Sequence, residues 1–178
     1  MTYPLTKLEK RCKKLIENEQ GGALWGAYLT ARQKVFVELL PYIRQREPDL
    51  TDDGPDHIIN VMENCYVVLG DECCKGNGDT KSFGRFELYF LVLSCLFHDV
   101  GNVFERKGHK TRLKEAYEFA KGTSPDLASE RSILFRIVDA HGGLTPSGSS
   151  DTLKALEHAP FLRHSVDLRR VAAVLRFA

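Results

Sequence analysis

The sequence has no Cys-x-x-Cys pair, no internal repeat, no excess of charge of either sign, and no apolar run near the ~18 residues a membrane span needs. Each absence removes a class. Five cysteines without that spacing argue against a zinc ribbon or a dithiol redox centre. Cys65 and Cys95 lie in apolar runs and read as small core residues, and the vicinal Cys73-Cys74 pair reads as a loop bystander. The opening residues, Met1 to Lys7, lack the apolar centre of a secretion signal, so the expectation is a soluble, cytoplasmic protein with no membrane contact. With 25 basic against 24 acidic residues the net charge is +1, and no overall field draws the chain to nucleic acid or membrane. No stretch alternates apolar and polar for long enough to argue for a sheet.

What is present is the helical period, over and over. The 178 residues, 43% of them hydrophobic, suit one domain burying roughly 70% of its unfolded surface. Residues 5–19 place Leu5, Leu8, Cys12 and Leu15 on one stripe, and the basic face of Lys7, Lys10, Arg11, Lys13 and Lys14 reads as a solvated one. A second helix is predicted over about 24–43, bent or interrupted near Pro41. Asp52-Asp53-Gly54-Pro55 reads as a helix start, and the helix that follows carries Val61, Cys65 and Val68 on the face of His57. Residues 71–84 form a polar loop, and from Phe86 to Phe97 nearly every residue is apolar, which predicts a helix buried all round. Amphipathic helices fit 110–121, 127–140, 151–158 and 167–177, with a loop from Gly142 to Ser150.

The candidate chemistry sits where that pattern is broken. His98-Asp99 ends the most apolar helix, a place where imidazole and carboxylate are costly unless paired or bound to a metal. Successive helical side chains point about 100° apart, so the two can straddle an ion, and Gly101 then opens that end to a cleft. His57 lies in the first turn of its helix, on the apolar face. Two further histidines follow later breaks: His109 opens the helix after Gly108, and His141 closes the helix before Gly142-Gly143. Arg106, Lys107, Lys110 and Arg112 bracket His109 and are the candidate phosphate-binding groups. His158 and His164, flanking Pro160, read as surface residues.

The order His57, His98-Asp99-Val100-Gly101-Asn102, His109, Ala140-His141-Gly142 resembles the HD superfamily of metal-dependent phosphohydrolases over roughly residues 50–178. Leu96 to Gly101 is the specific part of the resemblance. It implies an all-α HD-domain helical bundle, with residues 1–50 as helices packed on a core of residues 51–178. It implies a divalent metal, Mn, Ni, Fe, Mg or Zn, as one or two ions, with His57, His98, Asp99, His109 and His141 as ligands and His109 and His141 as catalytic groups. The two-ion form is preferred, although Gly142 stands where many two-metal members carry a second histidine, and the cyclic-dinucleotide subgroup's Gly-Tyr-Pro signature is absent. In one-ion nucleotide hydrolases the histidine after the His-Asp run acts as acid or base.

The tail Val166 to Ala178 resembles the family's final helix, where an aspartate completes the site; the native chain is expected to continue past Ala178 with that aspartate, since Asp167 reads as an N-cap. The implied substrate is a nucleotide, a cyclic nucleotide or single-stranded nucleic acid, and a fused ATPase or effector domain beyond residue 178 is the partner the resemblance suggests. The competing classes are a catalytically impaired HD module regulating such a domain, and a nucleic-acid adaptor using the basic N-terminal helix.

Overall fold

The computed structural model describes residues 3–17, 21–41, 54–73, 82–100, 109–141 and 151–178. Seven α-helices follow one another in these residues: α1 (Lys7–Ile16), α2 (Gly22–Lys34), α3 (Pro55–Cys73), α4 (Arg85–Phe97), α5 (His109–Lys121), α6 (Ala128–His141) and α7 (Leu168–Phe177). A hairpin of β1 (His158–Phe161) and β2 (His164–Asp167) precedes α7. The fold is all-α, as the period implied. No described helix is long and apolar enough to cross a membrane.

The apolar segment sets the plan. Phe86 and every residue from Leu88 to Phe97 is buried, so α4 is the central rod, and α1, α3, α5, α6, α7 and β2 all touch it. Glu87 closes its first turn, accepting from Gly84 N at 2.7 Å and reaching Asp167 N at 3.3 Å. Helix α1 starts on a capping box between Thr6 and Glu9, a pattern present in the sequence as Thr-x-x-Glu. Its basic side chains lie toward solvent while Leu8, Cys12 and Ile16 are buried. Gly21 permits the tight passage into α2, because a Cβ there would stand 2.0 Å from Ile16 O. Ahead of Pro41, α2 widens into a π-helical turn, Val35–Leu39; a proline has no N–H to give and crowds the preceding turn. In α3 the buried stripe is Ile58, Met62, Cys65 and Leu69, whereas Val68 is 49% exposed, which corrects the face read from the sequence. That helix is broken at Gly70, φ 69°.

Two buried carboxylates were not legible as such. Glu9 accepts from Tyr28 Oη at 2.6 Å and pairs with Arg32 Nε at 2.6 Å, tying α1 to α2. Glu130 on α6 accepts from Tyr89 of α4 and Tyr117 of α5 and pairs with Lys121.

The helix expected over 151–158 is not formed; those residues make a turn that leads into β1. The reason is local. Burial over His158–Phe161 alternates with period two, and Pro160 biases the residue before it to extended backbone. The hairpin turns through Leu162 (φ 46°) and Arg163 (φ 64°), two non-glycine residues in the left-handed region. Replacing the pair by Asn-Gly is expected to stabilise the protein by about 1–2 kcal/mol, since Leu162 is half exposed and little packing is lost. A thermal midpoint that stays put or falls would show that the turn is held by contacts of those side chains instead.

Candidate metal centre

The C-terminal end of α4 and the first turn of α3 meet beside the end of α6. His57 is placed by α3, whose start is set by Gly54 and Pro55; Gly54 O accepts from His57 N at 3.1 Å. His98 caps α4 and is 5% exposed, while the Asp99 side chain keeps 25% exposure and that of His57 32%. Three donor atoms converge. His98 Nε2 lies 2.8 Å and His57 Nε2 3.1 Å from Asp99 Oδ2, and the two nitrogens are 3.3 Å apart. Two donors about 2.1 Å from one ion stand about 3.0 Å apart at a right angle and about 3.4 Å apart at the tetrahedral angle. The triangle therefore has the edge lengths of one face of a coordination shell.

The proton inventory points the same way. Cys95 O can only accept, so His98 Nδ1, 2.9 Å away, carries the ring proton. In a neutral ring that leaves an Nε2 lone pair facing a carboxylate oxygen, which is unfavourable unless a proton or a metal cation stands between them. His141 repeats the device: Nδ1 donates to Val138 O at 2.6 Å, which leaves Nε2 as the nitrogen without the ring proton in the neutral ring. Its ring stands edge-on to that of His98 with centroids 5.5 Å apart. Backbone carbonyls that hold the second nitrogen of a histidine are the usual outer shell of a metal ligand. Burial works against ionising Asp99, but where a proton stands between ring and carboxylate, hydrogen bonds and charge from His98, then from His57 and His141, outweigh it and hold the carboxyl well below the usual carboxylate range. The site also lies at the C-terminal, negative ends of α4 and α6, which favours a cation. His57, His98 and Asp99 thus fit a divalent metal by geometry and by donor chemistry.

Of the other residues singled out in the sequence, His141 is brought to this cluster. His109 opens α5, but its side chain and that of Lys110, with Arg106 and Lys107, lie outside the described residues. Arg112 is described and pairs with Glu115 at 3.9 Å. Cys73 and Cys74 are likewise outside the described side chains. Cys65 and Cys95 are buried with sulfurs 3.5 Å apart, and burial, then the Cys65 contact, pushes the Cys95 thiol up, away from the thiolate form. His158 and His164 sit on the hairpin, His164 bonded by Arg85 at the far end of α4, about 20 Å of helix from His98.

A family model, HD-CE, matches residues 47–178, a span that includes all three donors. The chain belongs to the HD-CE family. Neither curated proteins nor solved structures return a match. Residues before 47, which include α1 and α2, lie outside the HD-CE match, yet they cover α3, α4 and α5.

What the sequence did not disclose near the centre is Thr152 and Arg176, which hold the end of α6. They stand 12 and 36 residues beyond Ala140, and nothing in the local pattern marks them.

Proposed function

We propose that this HD-CE domain is a metal-dependent phosphohydrolase that cleaves a phosphoester or phosphoanhydride bond of a nucleotide, a cyclic nucleotide or single-stranded nucleic acid. The observation that carries the reading is the convergence of His57 Nε2, His98 Nε2 and Asp99 Oδ2 on one point at the end of a buried helix. A divalent cation there, Mn, Fe, Ni, Mg or Zn, supplies a nucleophilic water at neutral pH and stabilises charge on a phosphoryl oxygen.

The chain's own groups have separable tasks. Cys95 O fixes the His98 tautomer, so its lone pair needs no reorganisation. Asp99 brings the negative charge that two neutral imidazoles lack. Among the described residues, His57 and Asp99 are the partly exposed side of the cluster, where substrate would approach, and buried His98 is the other. His141, its Nδ1 held by Val138 O, serves as a further ligand or as acid and base, and His109 is assigned the same duty. Arg106, Lys107, Lys110 and Arg112 are assigned to the substrate phosphate. Residues 51–178 form the catalytic core, with residues 1–50 as helices packed on it.

Hydrolysis of bis-p-nitrophenyl phosphate tests the reading. Activity is expected to vanish on chelation and to return with Mn²⁺ or Ni²⁺. No hydrolysis with any of the five metals sinks it and points to a regulatory HD module, and a rate indifferent to chelator sinks the metal's part in it.

A further inference from the structure

His141 is the last residue of α6, and helix ends fray. The final four carbonyls of a helix have no partner within it, so a ligand placed there needs an external anchor if it is to stay within about 0.5 Å of a working position. Here at least two of the four are held by side chains. Val138 O takes the proton of His141 Nδ1. Ala140 O takes the hydroxyl of Thr152, at 2.5 Å, from a residue only 8% exposed. Thr152 Oγ1 in turn accepts from Arg176 Nη1 at 3.2 Å, and Arg176 lies in the last turn of α7.

We propose that Thr152 and Arg176 are positioning residues, forming a latch from α7 to the end of α6 that holds His141 at the metal centre. The role of the latch in metal binding rests on the reading given above, whereas its mechanics rest on the bonds alone. Helix α7 meets the core through Leu168, Val171, Ala172 and Leu175. Apolar burial of that kind is non-directional and does not by itself fix how far one helix slides along another. A charged donor, a hydroxyl and a carbonyl in series do fix it, each bond polarising the next. The Arg176 cation also stands by the negative end of α6, where positive charge is favoured.

Thr152→Val keeps the shape and removes both bonds. In metal-free protein it is expected to speed amide exchange over residues 138–141 about tenfold, with α4 unchanged, and to turn the single Nδ1–H tautomer of His141, read from ring nitrogen shifts, into a mixture. Cobalt affinity is expected to fall about tenfold in Thr152→Val and in Arg176→Met, and to fall no further when either change is added to His141→Ala. Unchanged exchange and tautomer, or an equal loss of affinity with and without His141, overturns the latch. A wild type that binds no cobalt refutes the metal centre instead, and the metal-free readouts still decide the latch. Should Arg176→Met not fold, Thr152→Val carries the comparison.

Discussion

Glu130→Ala is expected to destabilise the protein by about 3–5 kcal/mol, a large share of the roughly 5–15 kcal/mol typical of a folded domain. Glu130 is 2% exposed and holds three partners: Tyr89 Oη at 2.6 Å, Tyr117 Oη at 2.7 Å and Lys121 Nζ at 2.6 Å. The Lys121 side chain is itself only 1% exposed and donates also to Tyr89 Oη at 3.0 Å. Burial, then the charge of Glu130, pushes both phenols up, so they remain donors at any working pH. Removing the carboxylate strands an ammonium and leaves two hydroxyls short of an acceptor in a dry site, and the cost of the stranded charge exceeds the worth of the pair. The network also joins α4, α5 and α6, so its loss loosens the helix that ends in His141. Adding Lys121→Met removes the stranded charge, and the double variant is expected to be more stable than Glu130→Ala alone. Urea unfolding of both settles it. A cost under about 1 kcal/mol, or a further loss on adding Lys121→Met, sets the buried-ion account aside.

The contrast between what the sequence disclosed and what it hid has a physical basis. The donor cluster was legible because its parts are local. His98-Asp99 interrupts an unbroken apolar run, and His57 follows a turn signal that places it in the first turn of a helix. Polar groups at those points need a reason, and the reason can be sought without knowing the fold. Glu9, Glu130 and Lys121 interrupt nothing. Each sits in an amphipathic segment where a charge is normally solvated, and Glu130 gains its tyrosine partners from 13 and 41 residues away. Only Glu9 left a local trace, in its capping box with Thr6. The hairpin was hidden for another reason. A two-residue turn is usually announced by Asn-Gly or a similar pair, and Leu162-Arg163 adopts the same left-handed backbone without that signature. Short strands of four residues then carry too few alternations to compete with a helical reading.

Loss of metal from Asp99→Asn and His98→Ala is the other large expected effect. Asp99 Oδ2 is the shared vertex of the donor triangle, 2.8 Å and 3.1 Å from the two nitrogens, and it brings the only negative charge among the three. Asparagine keeps the shape and loses that charge. Two neutral imidazoles then face a divalent cation with no anion to offset it, and affinity is expected to fall at least about a hundredfold, close to 2.8 kcal/mol. His98→Ala removes a ligand whose tautomer is preset by Cys95 O, and is expected to cost at least as much. Thermal unfolding with and without metal reads the result without reference to activity. A ligand that binds only the folded state stabilises it by about 2.7 kcal/mol at a hundred times its dissociation constant, so the wild-type midpoint should climb as Mn²⁺ or Ni²⁺ is added. At the same concentrations the two variants should hardly move. His158→Ala is the control: His158 lies on the hairpin against the far end of α4, and its side chain is 64% exposed. Its metal-induced shift should match that of the wild type. If Asp99→Asn shifts as far as the wild type while His158→Ala does not, the ion binds at the hairpin and the triangle at the end of α4 is not the metal centre.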